Sequence, residues 1–351
     1  MSTPIRIGAR EVGRNVPPLV IAEMSGNHNQ SLQRALAIVE AAAASGAHAL
    51  KLQTYTADTI TLCTSGPAFV IDDEHSLWKG RKLYELYREA HTPWEWHAPI
   101  MERARALGML CFSSPFDESA VDFLQTLDVP AYKIASFENN HLPLIRRVAA
   151  TGKPLVMSTG MATIEELEEA VGTARAAGCR ELVLLKCTST YPASPENTNI
   201  LTIPDMRRRF GCEVGLSDHT MGIGTAVAAV ALGACAIEKH FTLRRADGGV
   251  DSTFSTEPEE LAQLVVESEG AWRSLGAVRY GPTQAERASL AFRRSLYVAE
   301  DMRAGEAFTA RNLRVVRPAG GLHPRFYEQL LGRRVRCDVR RGTAVDWSLL
   351  E

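Results

Sequence analysis

The chain has 351 residues, 45% apolar and 23% charged, with a formal net charge of −2. This is the make-up of a soluble globular protein with room for one large domain and a small one, and it excludes any overall attraction to nucleic acid or membrane. The start, "MSTPIRIGAREVGRNVPPLV", has no apolar signal-peptide core, and no later run reaches the roughly 18 apolar residues of a membrane span. The seven cysteines are scattered without a C-x-x-C pair, so they read as reduced thiols of a cytoplasmic protein.

Short apolar runs recur in chain order, each followed by a helix-period segment. The first four are "LVIAEM" (19–24), "ALKLQT" (49–54), "LCFSSP" (110–115) and "AYKIAS" (131–136). The next four are "PLVMST" (154–159), "LVLLKCT" (182–188), "EVGLSDH" (213–219) and "AIEKHF" (236–241). Helices such as "SLQRALAIVEAAAASGA" intervene, and Thr163 with Glu166 predicts a capping box at the start of another. Strands alternating with helices imply a parallel sheet, and eight units imply a closed (β/α)8 TIM barrel over residues 1–280. An open doubly wound sheet is the alternative, but no G-x-G-x-x-G turn follows the first strand.

The second strand is followed by a long excursion, roughly residues 56–92, with "WKGRKLYELYREAHTPWEWH" at its end. Such a loop lies on the C-terminal face of a barrel, where it either shapes the pocket or forms an extra surface helix. A helix is expected over about 257–276, then Gly281-Pro282 break the chain. Residues 281–292 read as a linker and 293–351 as a small arginine-rich domain of short strands, without the aromatic set of a nucleic-acid surface.

All eight strand ends are polar. Lysines within apolar strands are the stronger signal, because a buried ammonium needs an anionic partner. Lys51, Lys133 and Lys186 with nearby serines suit a ligand carrying phosphate and carboxylate, with Lys186 the lysine most apt to turn outward. His219 and His240 end the seventh and eighth strands, beside Asp218 and Glu238. They read either as core histidines or as two ligands of one exchangeable divalent cation, Mn2+ or Mg2+ rather than structural zinc.

The ordered motifs "IAEMSGNHNQS", "KLQTYT", "FSSPFD", "YKIASFE", "STGMAT", "KCTSTYPA", "GLSDHT" and "EKHFT" resemble the N-acetylneuraminate synthase family. The tail "RRSLYVAEDMRAGEAFTARNLRVVRPAGGLHP" resembles that family's antifreeze-like (SAF) domain. Within the family, "SGNHNQS", "TPWEWH" and "FSSPFD" are most similar to the pseudaminic acid branch.

The resemblance implies condensation of phosphoenolpyruvate with an open-chain 2-acetamido sugar, giving a nine-carbon 2-keto acid and phosphate. It implies that Lys51, Ser114, Lys133, Ser136, Ser158 and Ser217 bind phosphoenolpyruvate. Gln53, Glu138, Tyr191, Asp251 and Arg317 would contact the sugar, Glu23 and Glu238 would manage protons, and His219 and His240 would hold the metal. It further implies a domain-swapped homodimer in which Arg317 enters the partner's barrel.

Ser189 stands where neuraminate-forming members usually carry asparagine, and a serine cannot offer an amide's paired donor and acceptor. This favours a 2,4-diacetamido-2,4,6-trideoxyhexose of altrose type, with legionaminic or N-acetylneuraminic acid as alternative products. A 3-deoxy-sugar-acid phosphate synthase would need a second phosphate site, for which no spare basic residues are evident. An ice-binding role would favour repeated Thr and Ala over this arginine-rich tail.

Overall fold

The computed structural model describes residues 5–74 and 76–351, which form two compact units, Met1–Gly276 and Ala277–Glu351. The first unit opens with a short antiparallel hairpin, β1 (Ile5–Ile7) and β2 (Arg10–Val12). Eight strands then close a parallel barrel. They are β3 (Leu19–Glu23), β4 (Ala49–Thr54), β5 (Leu110–Pro115), β6 (Tyr132–Ile134), β7 (Leu155–Ser158), β8 (Leu182–Cys187), β9 (Glu213–Ser217) and β10 (Ala236–His240). Closure runs through β10 and β3, with Glu238 opposite Ile21 and His240 opposite Glu23. All eight predicted strands are present, trimmed by a residue or two at some ends.

Each barrel strand leads into a helix: α1 (Leu32–Ala44) follows β3, and a long excursion carrying α2 (Ala57–Ile60) and α3 (Leu83–Ala90) precedes α4 (His97–Ala106). Then come α5 (Glu118–Thr126), α6 (Leu142–Ala149), α7 (Ile164–Ala176), α8 (Thr202–Phe210), α9 (Gly224–Ala231) and α10 (Pro258–Ser274). The predicted capping box exists: the Glu166 backbone N–H donates to Thr163 Oγ1 at 3.2 Å, and the Thr163 N–H donates to Glu166 Oε2 at 2.8 Å. Two of the orphan donors at the start of α7 are thereby satisfied.

Strand alternation sorts side chains into two apolar clusters. Leu50, Leu52, Tyr132, Ile134, Leu182 and Leu184 face outward against the helices. Leu19, Ile21, Ala49, Phe112, Ala131, Val156 and Val183 face inward, where Ile5, Ile7 and Val12 of the hairpin join them. The interior is thus packed and closed at its N-terminal end.

The second unit pairs β11 (Ser295–Val298) with β12 (Leu313–Val316) and buries its own core of Leu296, Val298, Phe308, Leu313, Leu330 and Val345. The stretch 275–289 is exposed throughout.

Candidate active site

Continuing the inward stripe of each strand past its apolar residues reaches the polar set. Glu23 follows Leu19 and Ile21, Lys51 follows Ala49, Lys133 follows Ala131, Ser158 follows Val156 and Glu238 follows Ala236. The same alternation turns Lys186 away, in phase with outward-facing Leu182 and Leu184. Its ammonium donates to the Cys187 carbonyl at 2.9 Å and to Thr188 Oγ1 at 3.4 Å. As the sequence suggested, it is the lysine that leaves the set.

Lys51 is 3% exposed, Lys133 1%, Glu23 1% and Glu238 4%. Isolated, each of these charges would be costly to bury, and together they neutralise one another. Lys51 Nζ lies 2.7 Å from Glu23 Oε2 and 3.6 Å from Glu238 Oε1, while Lys133 Nζ is 3.9 Å from the same Glu238 oxygen. Hydroxyls fill the gaps: Lys51 Nζ donates to Ser114 Oγ at 3.3 Å, Lys133 Nζ to Ser158 Oγ at 2.7 Å, and Ser217 Oγ to Glu238 Oε1 at 3.2 Å. Ser136 Oγ accepts the Gly160 N–H at 3.2 Å, a close approach that glycine allows, because a Cβ there would lie 2.7 Å from Ser136 Oγ and 3.0 Å from its Cβ.

The two carboxylates are unequal. Burial pushes the Glu23 carboxyl up, Lys51 draws it back and Glu238 pushes it up again, leaving it above the ordinary range. Burial acts on Glu238 too, but Lys133, Lys51 and His219 outweigh it and hold it below that range. Of the two, Glu23 is the readier to hold a proton and Glu238 the readier to stay ionised.

His219 and His240 meet with ring centroids 5.3 Å apart. The His219 ring nitrogen Nδ1 is 2.8 Å from the Thr188 carbonyl, so Nδ1 carries the proton and Nε2 keeps its lone pair. His240 Nδ1 is buried and has no hydrogen-bond partner among the described residues. Burial, reinforced by His219 and Lys51, holds His240 well below the ordinary imidazole range and therefore neutral. Burial also opposes charge on His219, but Cys187 Sγ at 3.9 Å and the Thr188 carbonyl outweigh it and raise its value, so a bound cation would compete with a proton there. Two imidazoles with an orphaned nitrogen fit a divalent cation. Among the described residues no group of three or more His, Cys, Asp or Glu side chains could hold one, so most of the coordination would fall to water or substrate.

The carboxylate beside His219 has a different job from the one beside His240. Asp218 turns outward and pairs with Lys239 at 2.8 Å, both fully buried, and Lys239 Nζ also donates to the Thr220 carbonyl at 2.6 Å. This ion pair clips together the two histidine-bearing strand ends.

Four of the five expected sugar contacts, Gln53, Glu138, Tyr191 and Asp251, lie around the same mouth. The Gln53 amide donates to Glu23 Oε1 at 3.0 Å and to Ser25 Oγ at 3.1 Å, and Ser25 in turn donates to Asp251 Oδ2. Glu138 Oε2 is buried with no hydrogen-bond partner among the described residues, and burial, opposed by Lys133 and Lys51, raises the carboxyl to about 7. The Tyr191 ring stands 4.4 Å from His219, 5.2 Å from Phe254 and 5.9 Å from Trp78. Trp78 belongs to the long excursion after β4, and its indole N–H donates to the Val250 carbonyl at 3.0 Å. Arg317 lies in the second unit, exposed beside Arg314, Arg341 and Tyr297.

Four participants escape sequence reasoning: Ser25, Trp78, Phe254 and the Asp218–Lys239 pair. Trp78 could have been found from its place in the aromatic-rich excursion, and Lys239 from the rule that a strand lysine needs an anion. Ser25 has no such signal.

Residues 38–280 match the NeuB family and residues 293–351 the SAF domain. The chain is 44% identical over 326 residues to a pseudaminic acid synthase of Campylobacter jejuni, covering 93% of this chain and 94% of that one. It is 34% identical over 349 residues to an N,N'-diacetyllegionaminic acid synthase of Legionella pneumophila, covering 98% of each. Among solved structures it is similar to an N-acetylneuraminic acid synthetase of Leptospira borgpetersenii, with a TM-score of 0.72 and 31% identity over 83% of this chain and 96% of that one.

Proposed function

The chain belongs to the NeuB family, and on that premise we propose that it forms pseudaminic acid from phosphoenolpyruvate and an open-chain 2,4-diacetamido-2,4,6-trideoxyhexose of altrose type. The observation that carries this reading is the buried ring of Lys51, Lys133, Glu23, Glu238 and four serines beside His219 and His240. Phosphoenolpyruvate brings a phosphate and a carboxylate, and the two ammonium groups with Ser114, Ser136, Ser158 and Ser217 offer cations and donors at its expected place. On its arrival Lys51 and Lys133 exchange part of their internal pairing for the ligand's anions.

In the reaction, C3 of phosphoenolpyruvate attacks the sugar's aldehyde carbon to form the new C–C bond. Water adds to C2, the C2–O bond breaks, and phosphate departs with the bridging oxygen. Glu23 and Glu238 are the carboxylates to which we assign taking a proton from that water and returning one to the aldehyde oxygen. His219 and His240 would hold a divalent cation, Mn2+ or Mg2+, which when bound supplies Lewis acidity for the developing alkoxide.

For the sugar, Gln53, Glu138, Tyr191 and Asp251 offer an amide, two carboxyls and a phenol ring beside the histidines. The wall of Tyr191, Phe254 and Trp78 suits a methyl terminus better than a hydroxymethyl one. The barrel rim exposes Phe137 (59%), Met161 (61%) and Met221 (50%) on three βα loops. Exposed apolar groups around an opening invite a cover, and we assign that role to the C-terminal domain of a second chain, with Arg317 reaching the sugar. Legionaminic acid, made by the same chemistry from a different acetamido sugar, is the second reading.

Phosphoenolpyruvate labelled with 18O at the bridging oxygen tests the reaction class. The label should leave in phosphate as a nine-carbon keto acid accumulates. Unlabelled phosphate, from P–O cleavage, would contradict the mechanism.

A further inference from the structure

Ser25 is a buried serine in the left-handed backbone region, with φ 47°. Side chains other than glycine, asparagine and aspartate adopt that conformation only at a cost, and glycine would fit there without strain. A residue held so against its backbone preference is worth asking what its side chain does.

The hydroxyl has both of its functions in use. It accepts from the Gln53 amide at 3.1 Å and donates to Asp251 Oδ2, joining the end of β4 to the loop after β10. The other hydrogen of the Gln53 amide goes to Glu23 Oε1 at 3.0 Å, and the Gly26 backbone N–H reaches Asp251 Oδ2 at 3.4 Å. The amide and the carboxylate are therefore each fixed from one side. No hydrogen bond among the described residues takes up Gln53 Oε1 or Asp251 Oδ1, which stay available to a ligand. Glycine at this position would relieve the backbone but break the link between the two groups, leaving Gln53 held only by Glu23 and Asp251 only by the long Gly26 contact.

We propose that Ser25 is a positioning residue for the sugar, fixing Gln53 and Asp251 as one preset polar edge of the site. This rests on the reading above that these two side chains face the sugar. Neither Lys51 nor Lys133 bonds to Ser25, so the phosphoenolpyruvate side should not sense its loss.

The test is steady-state phosphate release by the wild type, Ser25→Ala and Ser25→Gly, with each substrate varied in turn. Both variants lack the hydroxyl, but only the glycine variant fits the left-handed backbone, so it should keep its melting temperature and carries the test if the alanine variant fails to fold. The expected result is a sugar KM raised at least tenfold in both variants, with the phosphoenolpyruvate KM within twofold of wild type. A glycine variant with a wild-type sugar KM would overturn the proposal, and so would equal rises in both KM values. A wild type that releases no phosphate with the diacetamido sugar would overturn the proposed function and this inference together, whereas an active wild type with unchanged variants would overturn only the role of Ser25.

Discussion

Lys51 and Lys133 illustrate how far single residues can be read. Each is a lysine in an apolar strand, and the demand for a partner is met by Glu23, Glu238 and a serine apiece. A charge-assisted bond is worth about 1.5–3 kcal/mol. Lys→Met at either position should therefore raise the phosphoenolpyruvate KM at least tenfold or collapse kcat, and an effect confined to the sugar KM would place these lysines elsewhere. Glu138 gives a pH prediction. Its folded carboxyl sits at about 7 against an ordinary 4.5, so it binds its proton more tightly when folded. Its contribution to stability is present below about pH 4.5 and lost as pH rises through about 7. Glu138→Gln removes that dependence, so its melting temperature relative to wild type should be higher at pH 8 than at pH 5. A difference independent of pH would show that the carboxyl is not raised.

At the level of elements, the eight strands were legible because each is an apolar run with a polar end, and lysines inside such runs marked the strands that carry the site. Residue type and position alone singled out site residues at the strand ends, such as Lys51 and His240, whereas loop residues such as Glu138, Tyr191 and Asp251 came only from the family resemblance. What stayed hidden depends on contacts between distant segments. The β1–β2 hairpin is too short to show a period, and only the open end of the barrel core gives Ile5, Ile7 and Val12 a place to bury. Ser25 meets Asp251 across more than two hundred residues, which no local pattern encodes. The Asp218–Lys239 clip is half of this kind: a lysine inside a strand calls for an anion, but which carboxylate meets it depends on the neighbouring strand. Breaking a buried pair strands one charge, typically at about 3–5 kcal/mol. Asp218→Asn should lower unfolding stability by about that amount in denaturant titrations and, if His219 and His240 hold a cation, weaken Mn2+ binding in calorimetry. Unchanged Mn2+ affinity would limit the clip to a structural role.

The whole molecule raises the matter of the second domain, whose Arg317 is set in a unit with its own core. If it serves a partner's barrel, mixing Arg317→Ala chains with His240→Ala chains should restore about a quarter of wild-type activity, because random pairing makes half the dimers mixed and each has one intact site. No recovery on mixing, with Arg317→Ala inactive alone, would mean that the arginine serves its own barrel. The central claim concerns the substrate that this assembly of buried cations, paired histidines and aromatic wall accepts. It is tested most directly by the rate of phosphate release from phosphoenolpyruvate with 2,4-diacetamido-2,4,6-trideoxyaltrose, its legionaminic-type isomer and N-acetylmannosamine offered separately. The account predicts a kcat/KM at least a hundredfold higher for the altrose sugar than for N-acetylmannosamine, and higher than for the isomer. A preference for either competitor, or no sugar-dependent phosphate release at all, would contradict it.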